Sequence, residues 1–189
     1  LLQTSLHPWH SAHGGRLVDF AGWSMPVQYT SIVEEHHATR NVAGLFDVSH
    51  MGRLRLDGEG AGKFLDRLLT RRVADAAPGR IRYSLMTNAQ GGILDDVLAY
   101  HLVDQDGTGY RLLVVNASNR EKIVSWLNQQ LQAEDDVQIA DLTRQTAMIA
   151  VQGPRALELV NPLVDVAAEG LSYYSGAVCD VDGSLGIVS

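Results

Sequence analysis

Cysteine is nearly missing from this sequence: Cys179 is the one thiol among 189 residues. A single thiol excludes an internal disulfide and a cysteine-based zinc site, so a reducing compartment is the easier reading. Positive charge is also scarce, with 15 Lys and Arg against 22 Asp and Glu and a net charge of −7. That balance argues against a general nucleic-acid binder, which needs a basic surface to neutralise phosphates, but it leaves room for a local basic patch. No run is apolar enough to span a bilayer. The opening Leu1-Leu2-Gln3-Thr4-Ser5 has no charged segment followed by an apolar one, so no signal peptide is expected. Internal repeats, low-complexity runs and a Gly-x-Ser-x-Gly nucleophile elbow are all absent.

What is present describes a folded globular chain. Hydrophobic residues make up 46% and charged residues 20%, with six Tyr, three Trp and three Phe. This is enough to bury a core, as one ordinary domain or two small ones in contact. The pattern is α+β. A short helix is expected around Ser5 to His13, ended by Gly14-Gly15, then a strand over Arg16 to Phe20. Gly22 and Pro26 bracket Trp23-Ser24-Met25 as an irregular segment. Ser31 followed by Glu34 is a capping-box pattern and predicts a helix from about Ile32 to Arg40. Leu45 to Val48 and Gly52 to Leu56 read as strands, and Ala61, Phe64, Leu65, Leu68 and Leu69 form one helical face. Strands follow over Arg80 to Met86, Ile93 to Leu102 and Arg111 to Asn116, the first two joined by a turn at Asn88 to Gly92. Ser118 with Glu121 is a second capping box, opening a helix with Ile123, Leu127 and Leu131 on one stripe.

From Gly52 to about Ile139 the order is strand, helix, three strands, helix, strand. This contains the alternation of a split β-α-β sheet with helices on one face. It reads as an inserted ferredoxin-like unit over 52–140, within mixed or antiparallel sheets. Segments 1–51 and 141–189, with strands at Thr146 to Gln152, Gly176 to Val181 and Leu185 to Val188 and a helix opened by Pro154, then form a discontinuous first domain.

Several familiar signals fail on inspection. His7, His10 and His13 are three apart, and His36 and His37 are adjacent, but neither set has a partner carboxylate at a familiar spacing. No metal site is expected; solvent-facing or hydrogen-bonded histidines are the better reading. Gly58-Glu59-Gly60-Ala61-Gly62-Lys63 resembles a phosphate loop, yet Asp57 stands where the first Gly is required and Phe64 where Ser or Thr should hold magnesium. It reads as a turn leading into a helix. Asn116-Ala117-Ser118 matches a glycosylation sequon by coincidence, at the end of an apolar strand. Cys179 has no base nearby in sequence and reads as inert.

The unusual segment is Gly91-Gly92-Ile93-Leu94-Asp95-Asp96-Val97-Leu98-Ala99-Tyr100. Two carboxylates inside an apolar strand carry a cost in propensity and solvation. Alternation puts Asp95 on the face of Ile93, Val97 and Ala99, and Asp96 on the face of Leu94, Leu98 and Tyr100. Whichever face is buried, one Asp meets low dielectric and must be hydrogen-bonded, paired with a cation, or raised in pKa. That is how an acid, a base or a cation stabiliser is made. The bland reading, carboxylates capping the amides of a tight turn, has equal standing, and spacing does not choose between Asp95 and Asp96. Tyr83, across the turn, is within cross-strand reach. Asn116 ends the next strand with donors and an acceptor, and Met51 sits at a strand junction where it can line an apolar slot.

Five blocks, in order and evenly spaced, are similar to a known family. They are Val18-Asp19-Phe20-Ala21-Gly22-Trp23-Ser24-Met25-Pro26-Val27-Gln28-Tyr29, Gly44-Leu45-Phe46-Asp47-Val48-Ser49-His50-Met51-Gly52, Asn88 to Asp96, Val114-Val115-Asn116-Ala117, and Ala150-Val151-Gln152-Gly153-Pro154. From about residue 6 onward the chain resembles the N-terminal half of the aminomethyltransferases of the glycine cleavage system. The resemblance implies a three-domain cloverleaf around a channel that holds tetrahydrofolate, the acceptor substrate. It implies a lipoylated H-protein as partner, whose S-aminomethyl arm gives up ammonia and a one-carbon unit to form 5,10-methylenetetrahydrofolate. By position, the family's functional aspartate falls on Asp96, beside N10 of the folate, either stabilising an iminium-like carbon or acting as a base. Met51, Tyr83, Tyr100 and Asn116 match positions that line the folate channel.

The chain stops before the family's Arg-Thr-Gly-Tyr-Thr-Gly-Glu-like block, so the C-terminal domain is expected to be absent and the fragment inactive alone. A related folate-dependent demethylase or oxidase domain is the alternative enzyme. A non-catalytic folate-binding module of iron–sulfur maintenance is the alternative binder, although its Lys-Gly-Cys-type motif is missing and Val178 precedes Cys179. Bacterial cytoplasm or mitochondrial matrix follows from the family, and without a visible transit segment cytoplasm is the expectation.

Overall fold

A computed structural model describes residues 1–189. In chain order the elements are α1 (His7–Ala12), β1 (Leu17–Phe20), β2 (Trp23–Pro26), α2 (Ile32–Asn41), β3 (Gly44–Asp47), β4 (Gly52–Asp57), α3 (Ala61–Leu68) and β5 (Ile81–Thr87). There follow β6 (Ile93–Val103), β7 (Gly109–Val115), α4 (Arg120–Gln130), β8 (Gln138–Asp141), β9 (Ile149–Gln152), α5 (Ala156–Val160), β10 (Ala177–Val181) and β11 (Ser184–Val188). The fold is α+β, and every strand pair within its sheets is antiparallel.

The largest sheet has five strands in the order β5-β6-β7-β4-β8. Helices α3 and α4 both cover one face. The α3 stripe of Ala61, Phe64, Leu65 and Leu68 and the α4 pair Ile123 and Leu127 meet Leu54, Leu56, Val97, Ala99, Leu113 and Val115 from the sheet. Burying each large apolar side chain here contributes about 1.5–3 kcal/mol. The opposite face carries a second cluster, Ile81, Tyr100, Leu102, Tyr110, Leu112 and Val114, against which Met51, Met148, Tyr174 and Val178 pack. The glycine-rich run before α3 serves close approach: Gly58 has φ +109°, and a Cβ there would lie 2.1 Å from the Asp136 carbonyl oxygen.

Three two-stranded sheets surround this unit: β1-β2, β3-β9 and β10-β11. In β3-β9, Gly44 pairs with Gln152 and Asp47 with Ile149, so chain from before the five-stranded unit joins chain from after it. Buried Arg53 reinforces the same junction. Its guanidinium donates to the carbonyls of Ser49 (3.1 Å), Met51 (2.6 Å), Thr146 (3.0 Å) and Thr143, and Nε donates to Thr146 Oγ1 at 2.8 Å.

Three local expectations are corrected. Trp23-Ser24-Met25 is not irregular; it is β2, because Gly22 closes a tight hairpin and Leu17 to Phe20 supply the partner strand. Ser31 does cap α2, accepting from the Glu34 amide at 3.2 Å, but the carboxylate that turns back is Glu35, taking the Tyr29 and Thr30 amides at 2.6 and 2.7 Å. Ser118 caps nothing: a single 3-10 turn over Ala117–Asn119 precedes α4, and Asn119 occupies the cap position without a side-chain cap bond.

Candidate active site

The Asp95-Asp96 pair lies on β6 just beyond the β5–β6 turn, and the turn needs neither carboxylate. Asn88 closes it, Oδ1 accepting from the amides of Gln90 (3.1 Å) and Gly92 (2.8 Å). From Asp95 onward β6 alternates as a strand must. Asp95, Val97 and Ala99 point to the helices; Asp96, Leu98, Tyr100 and Leu102 point to the other face. Below Asp95 the alternation fails. Met86 pairs with Asp95 but Thr87 pairs with Ile93, leaving a bulge at Leu94. Leu94 packs against the helix-side core and Ile93 is exposed, so neither shares the face the simple alternation gave it.

The two carboxylates have opposite surroundings. Asp95 is 3% exposed and accepts three hydrogen bonds, from the Asn116 amide N (2.9 Å), Asn116 Nδ2 (2.9 Å) and Asn119 Nδ2 (2.6 Å). It is the buried member of the pair, satisfied by hydrogen bonds alone. Asp96 is exposed, and Asn116 Nδ2 donates to its Oδ1 at 2.8 Å and to its carbonyl at 3.1 Å. One amide group therefore bridges both aspartates. Tyr83, 43% exposed on β5 opposite Leu98, completes the rim. Its phenol is pushed above its ordinary value by partial desolvation and by the neighbouring Asp96 carboxylate.

The remaining predicted residues sit deeper. Met51 is half-buried against the apolar cluster of this face. Tyr100 belongs to that cluster itself, buried, with its hydroxyl 3.4 Å from Ser189 Oγ. Asp96, Tyr83 and Asn116 are thus brought together at an exposed edge, with Met51 and Tyr100 in the wall behind. The arrangement offers a solvent-facing carboxylate, a phenol and an amide beside apolar surface. It can bind a partly aromatic, partly polar ligand and stabilise positive charge on it.

Sequence reasoning missed a buried polar network beside this wall. His10 is buried, its Nε2 2.8 Å from Asp47 Oδ2 and its Nδ1 2.6 Å from the Tyr29 hydroxyl. Thr4 Oγ1 and the Ser49 amide also donate to Asp47, at 2.7 and 2.9 Å. Burial pushes the Asp47 carboxyl up, but the donors His10, Ser49 and Thr4 outweigh it and hold it below the ordinary carboxylate range. His50, next to Met51, has a buried Nδ1 with no partner, and burial holds its imidazole below the usual value. His10 and Thr4 reach Asp47 across 37 and 43 residues, and no local spacing announces those contacts.

No helix is long and apolar enough to cross a membrane. Fold and site together define an α+β chain whose central antiparallel sheet presents an exposed carboxylate, Asp96, on the face that carries the second apolar cluster. Its relatives give that class a family. The GCVT N-terminal domain family matches residues 6–189, and the chain belongs to it. Curated relatives named aminomethyltransferase include those of Chloroherpeton thalassium, 41% identical over 98% of this chain and 50% of the relative, and Rubrobacter xylanophilus, 45% identical over 100% and 49%. That of Bacillus subtilis is 40% identical over 100% of this chain and 51% of its own length. The crystal structure of glycine cleavage system aminomethyltransferase T from Bartonella henselae superposes with a TM-score of 0.84 at 31% identity, covering 94% of this chain and 47% of that one. The chain spans about half the length of the curated relatives it matches.

Proposed function

We propose that this chain supplies the N-terminal half of an aminomethyltransferase that moves a one-carbon unit from an S-aminomethyl-dihydrolipoyl carrier, the H-protein, to tetrahydrofolate. In that reaction the carbon loses its bonds to nitrogen and sulfur and gains bonds to N5 and N10 of the folate. Ammonia and the lipoyl dithiol leave. Positive charge develops on the carbon and its new nitrogen during the exchange, and a fixed carboxylate beside them lowers that barrier. Asp96 takes this role, with proton transfer as its other use. Tyr83 and Asn116 orient the ligand, and Met51 and Tyr100 form the apolar wall against its rings. The observation that carries the reading is Asp96 itself: an exposed carboxylate, anchored by an amide, on the strand that also supplies Leu98, Tyr100 and Leu102 to the apolar cluster of that face, in a chain of this family.

The finer architecture belongs to the same proposal. Residues 52–140 form an inserted ferredoxin-like unit, and 1–51 with 141–189 form the first domain of a three-domain cloverleaf around the folate channel. Supporting this are the strand order β5-β6-β7-β4-β8, the two helices on one face, and the pairing of β3 with β9. The C-terminal domain would come from sequence outside this chain, so the 189 residues alone are expected to be inactive. Cytoplasm is the proposed location.

The test is folate-dependent ammonia release from aminomethylated H-protein by the intact polypeptide. Asp96→Ala is expected to lower turnover by at least about a hundredfold, the scale of losing a charge stabiliser. If Asp95→Ala is dead and Asp96→Ala is active, the assignment is wrong.

A further inference from the structure

We propose that Asp95 is a positioning residue for Asp96, acting through the side chain of Asn116; this rests on the role proposed above for Asp96. Three observations meet here. Asp95 is almost fully buried, and all three of its partners are donors: Asn116 N, Asn116 Nδ2 and Asn119 Nδ2. Only an ionised carboxylate accepts at both oxygens without presenting a hydrogen to any of them. Those bonds settle which way the Asn116 amide faces. Its NH2 lies toward Asp95 Oδ1 and, from the same nitrogen, toward Asp96 Oδ1 at 2.8 Å and the Asp96 carbonyl at 3.1 Å. Asp96 is solvent-exposed; Asn116 Nδ2 is the near partner of its carboxylate, and the Tyr83 phenol is a second, looser neighbour on the solvent side. Its rotamer therefore depends on an amide whose orientation Asp95 dictates.

The network continues outward. Asn119 Oδ1 accepts from Lys122 Nζ at 2.8 Å, so the Asn119 amide is polarised with its NH2 toward Asp95. The chain Lys122–Asn119–Asp95–Asn116–Asp96 runs from the first turn of α4 to the exposed carboxylate, crossing from the helix side of the sheet to the ligand side. Because Asp95 and Asp96 are adjacent on one strand, their side chains point to opposite faces. The buried one can hold the exposed one without occupying ligand space. This gives a reason for the otherwise costly doubling of aspartate in an apolar strand.

Asp95→Asn keeps the shape but replaces one acceptor oxygen with an NH2. In either amide orientation that NH2 opposes at least one of the three donors. Asn116 then keeps only the Asp96 carbonyl and carboxylate as acceptors, and its hold on the Asp96 side chain loosens. The first test is nuclear magnetic resonance on the intact polypeptide, read at the Asp96 and Asn116 side chains. In the wild type, Asp96 is expected in one χ1 rotamer and the Asn116 side-chain NH2 protected from solvent exchange. In Asp95→Asn the Asp96 couplings should average and Asn116 NH2 exchange should speed on the order of tenfold, the worth of one charge-assisted bond. In the intact polypeptide, Asp95→Asn should lower kcat by about ten- to a hundredfold, with KM for tetrahydrofolate within about twofold, as expected when a reacting group is misplaced. Asn119→Ala, which removes one donor and leaves the carboxylate, should move both readouts the same way by about threefold; it serves if Asp95→Asn folds poorly.

The proposal is overturned if Asp96 keeps one rotamer in both variants, or if kcat falls only in proportion to the folded fraction. Asp96→Asn separates the two claims. If that variant keeps full turnover, the catalytic reading of Asp96 falls with its kinetic corollary, while the rotamer measurement still decides whether Asp95 holds it.

Discussion

The five-stranded unit and the segments that flank it are built on different physics. Between β4 and β8 the chain is held by two apolar layers, one under α3 and α4 and one on the opposite sheet face. The flanks leave large apolar residues in the open, including Leu45, Phe46, Ile149, Leu157 and Leu185. What they bury is as much polar as apolar: Thr4, His10, Ser49 and Thr143 beside Trp23, Met25, Ala168 and Cys179, with the Asp47 carboxylate among the polar groups and Arg53 at the seam. Apolar packing is non-directional and tolerates small shifts, whereas buried polar groups cost free energy unless every partner is placed. The unit should therefore behave as a self-contained core, and the flanks as a structure fixed by a few specific bonds.

The largest effect should come from breaking the apolar side of that contrast. Phe64 is fully buried at the centre of the helix-side core. Phe64→Ala removes its contacts and leaves a cavity, and should cost about 3–5 kcal/mol. Denaturant melts followed by hydrogen exchange should show β4 to β8 losing protection together. Survival of that unit with loss of the flanks alone would contradict the division.

Arg53 probes the seam. Its guanidinium holds backbone carbonyls on both sides, Ser49 and Met51 before the unit and Thr143 and Thr146 after it. Arg53→Met keeps the volume and orphans those buried acceptors, a loss of roughly 2–4 kcal/mol at about 1–3 per unmet group after relaxation. Exchange should rise first in β3 and β9, with α3 and α4 still protected. Uniform loss everywhere would mean that seam and core are one cooperative unit.

How far these features could be read in advance follows from their range. The α3 stripe Ala61, Phe64, Leu65 and Leu68 is visible because helix period and apolar period coincide locally. The alternation from Asp95 to Leu102 is visible for the same reason at period two. The bulge at Leu94 is not, because register depends on how Met86 and Thr87 pair across the turn. His10 meets Asp47 across 37 residues, and Arg53 meets Thr143 across 90, so neither leaves a local pattern. At the candidate site, spacing leaves Asp95 and Asp96 equivalent. Only the cross-strand partners, Asn116 and Asn119, make one buried and the other available.

Acid sharpens the contrast further. The folded Asp47 carboxyl is held below its ordinary value by His10, Ser49 and Thr4 against the opposing effect of burial. A depressed carboxylate adds stability that is complete above the unfolded pKa and is lost as pH falls through the folded one. Asp141 on β8 is depressed too, by Thr143 and Arg120, but the unit keeps its apolar layers as both carboxylates protonate below about pH 4, so the flank, which leans on Asp47, should show the larger loss. Trp9 and Trp23 lie in the N-terminal flank and Trp126 on α4, so single-tryptophan variants report the two regions separately. Asp47→Asn should cost roughly 1–3 kcal/mol near neutral pH by leaving donors unmatched, and should flatten the acid limb of the Trp23 signal. Parallel acid limbs for Trp23 and Trp126 would remove the distinction.

The smallest effect tests the same contrast at two serines. Helix α2 in the flank buries no residue, so its stability rests on its ends: Ser31 accepting from Glu34 N and Glu35 holding the Tyr29 and Thr30 amides. Helix α4 buries Ile123 and Leu127 against the sheet, and Ser118 makes no cap bond. Both serines open a Ser-x-x-Glu sequence, so local pattern treats them alike. Packing does not. Ser31→Ala should destabilise by about 0.5–1 kcal/mol, read as faster exchange at Val33 and Glu34. Ser118→Ala should stay within about 0.5 kcal/mol of wild type, as an uncapping surface change does. Equal losses at the two positions would mean that α4 draws on a cap at Ser118 after all, and that burial alone does not carry it.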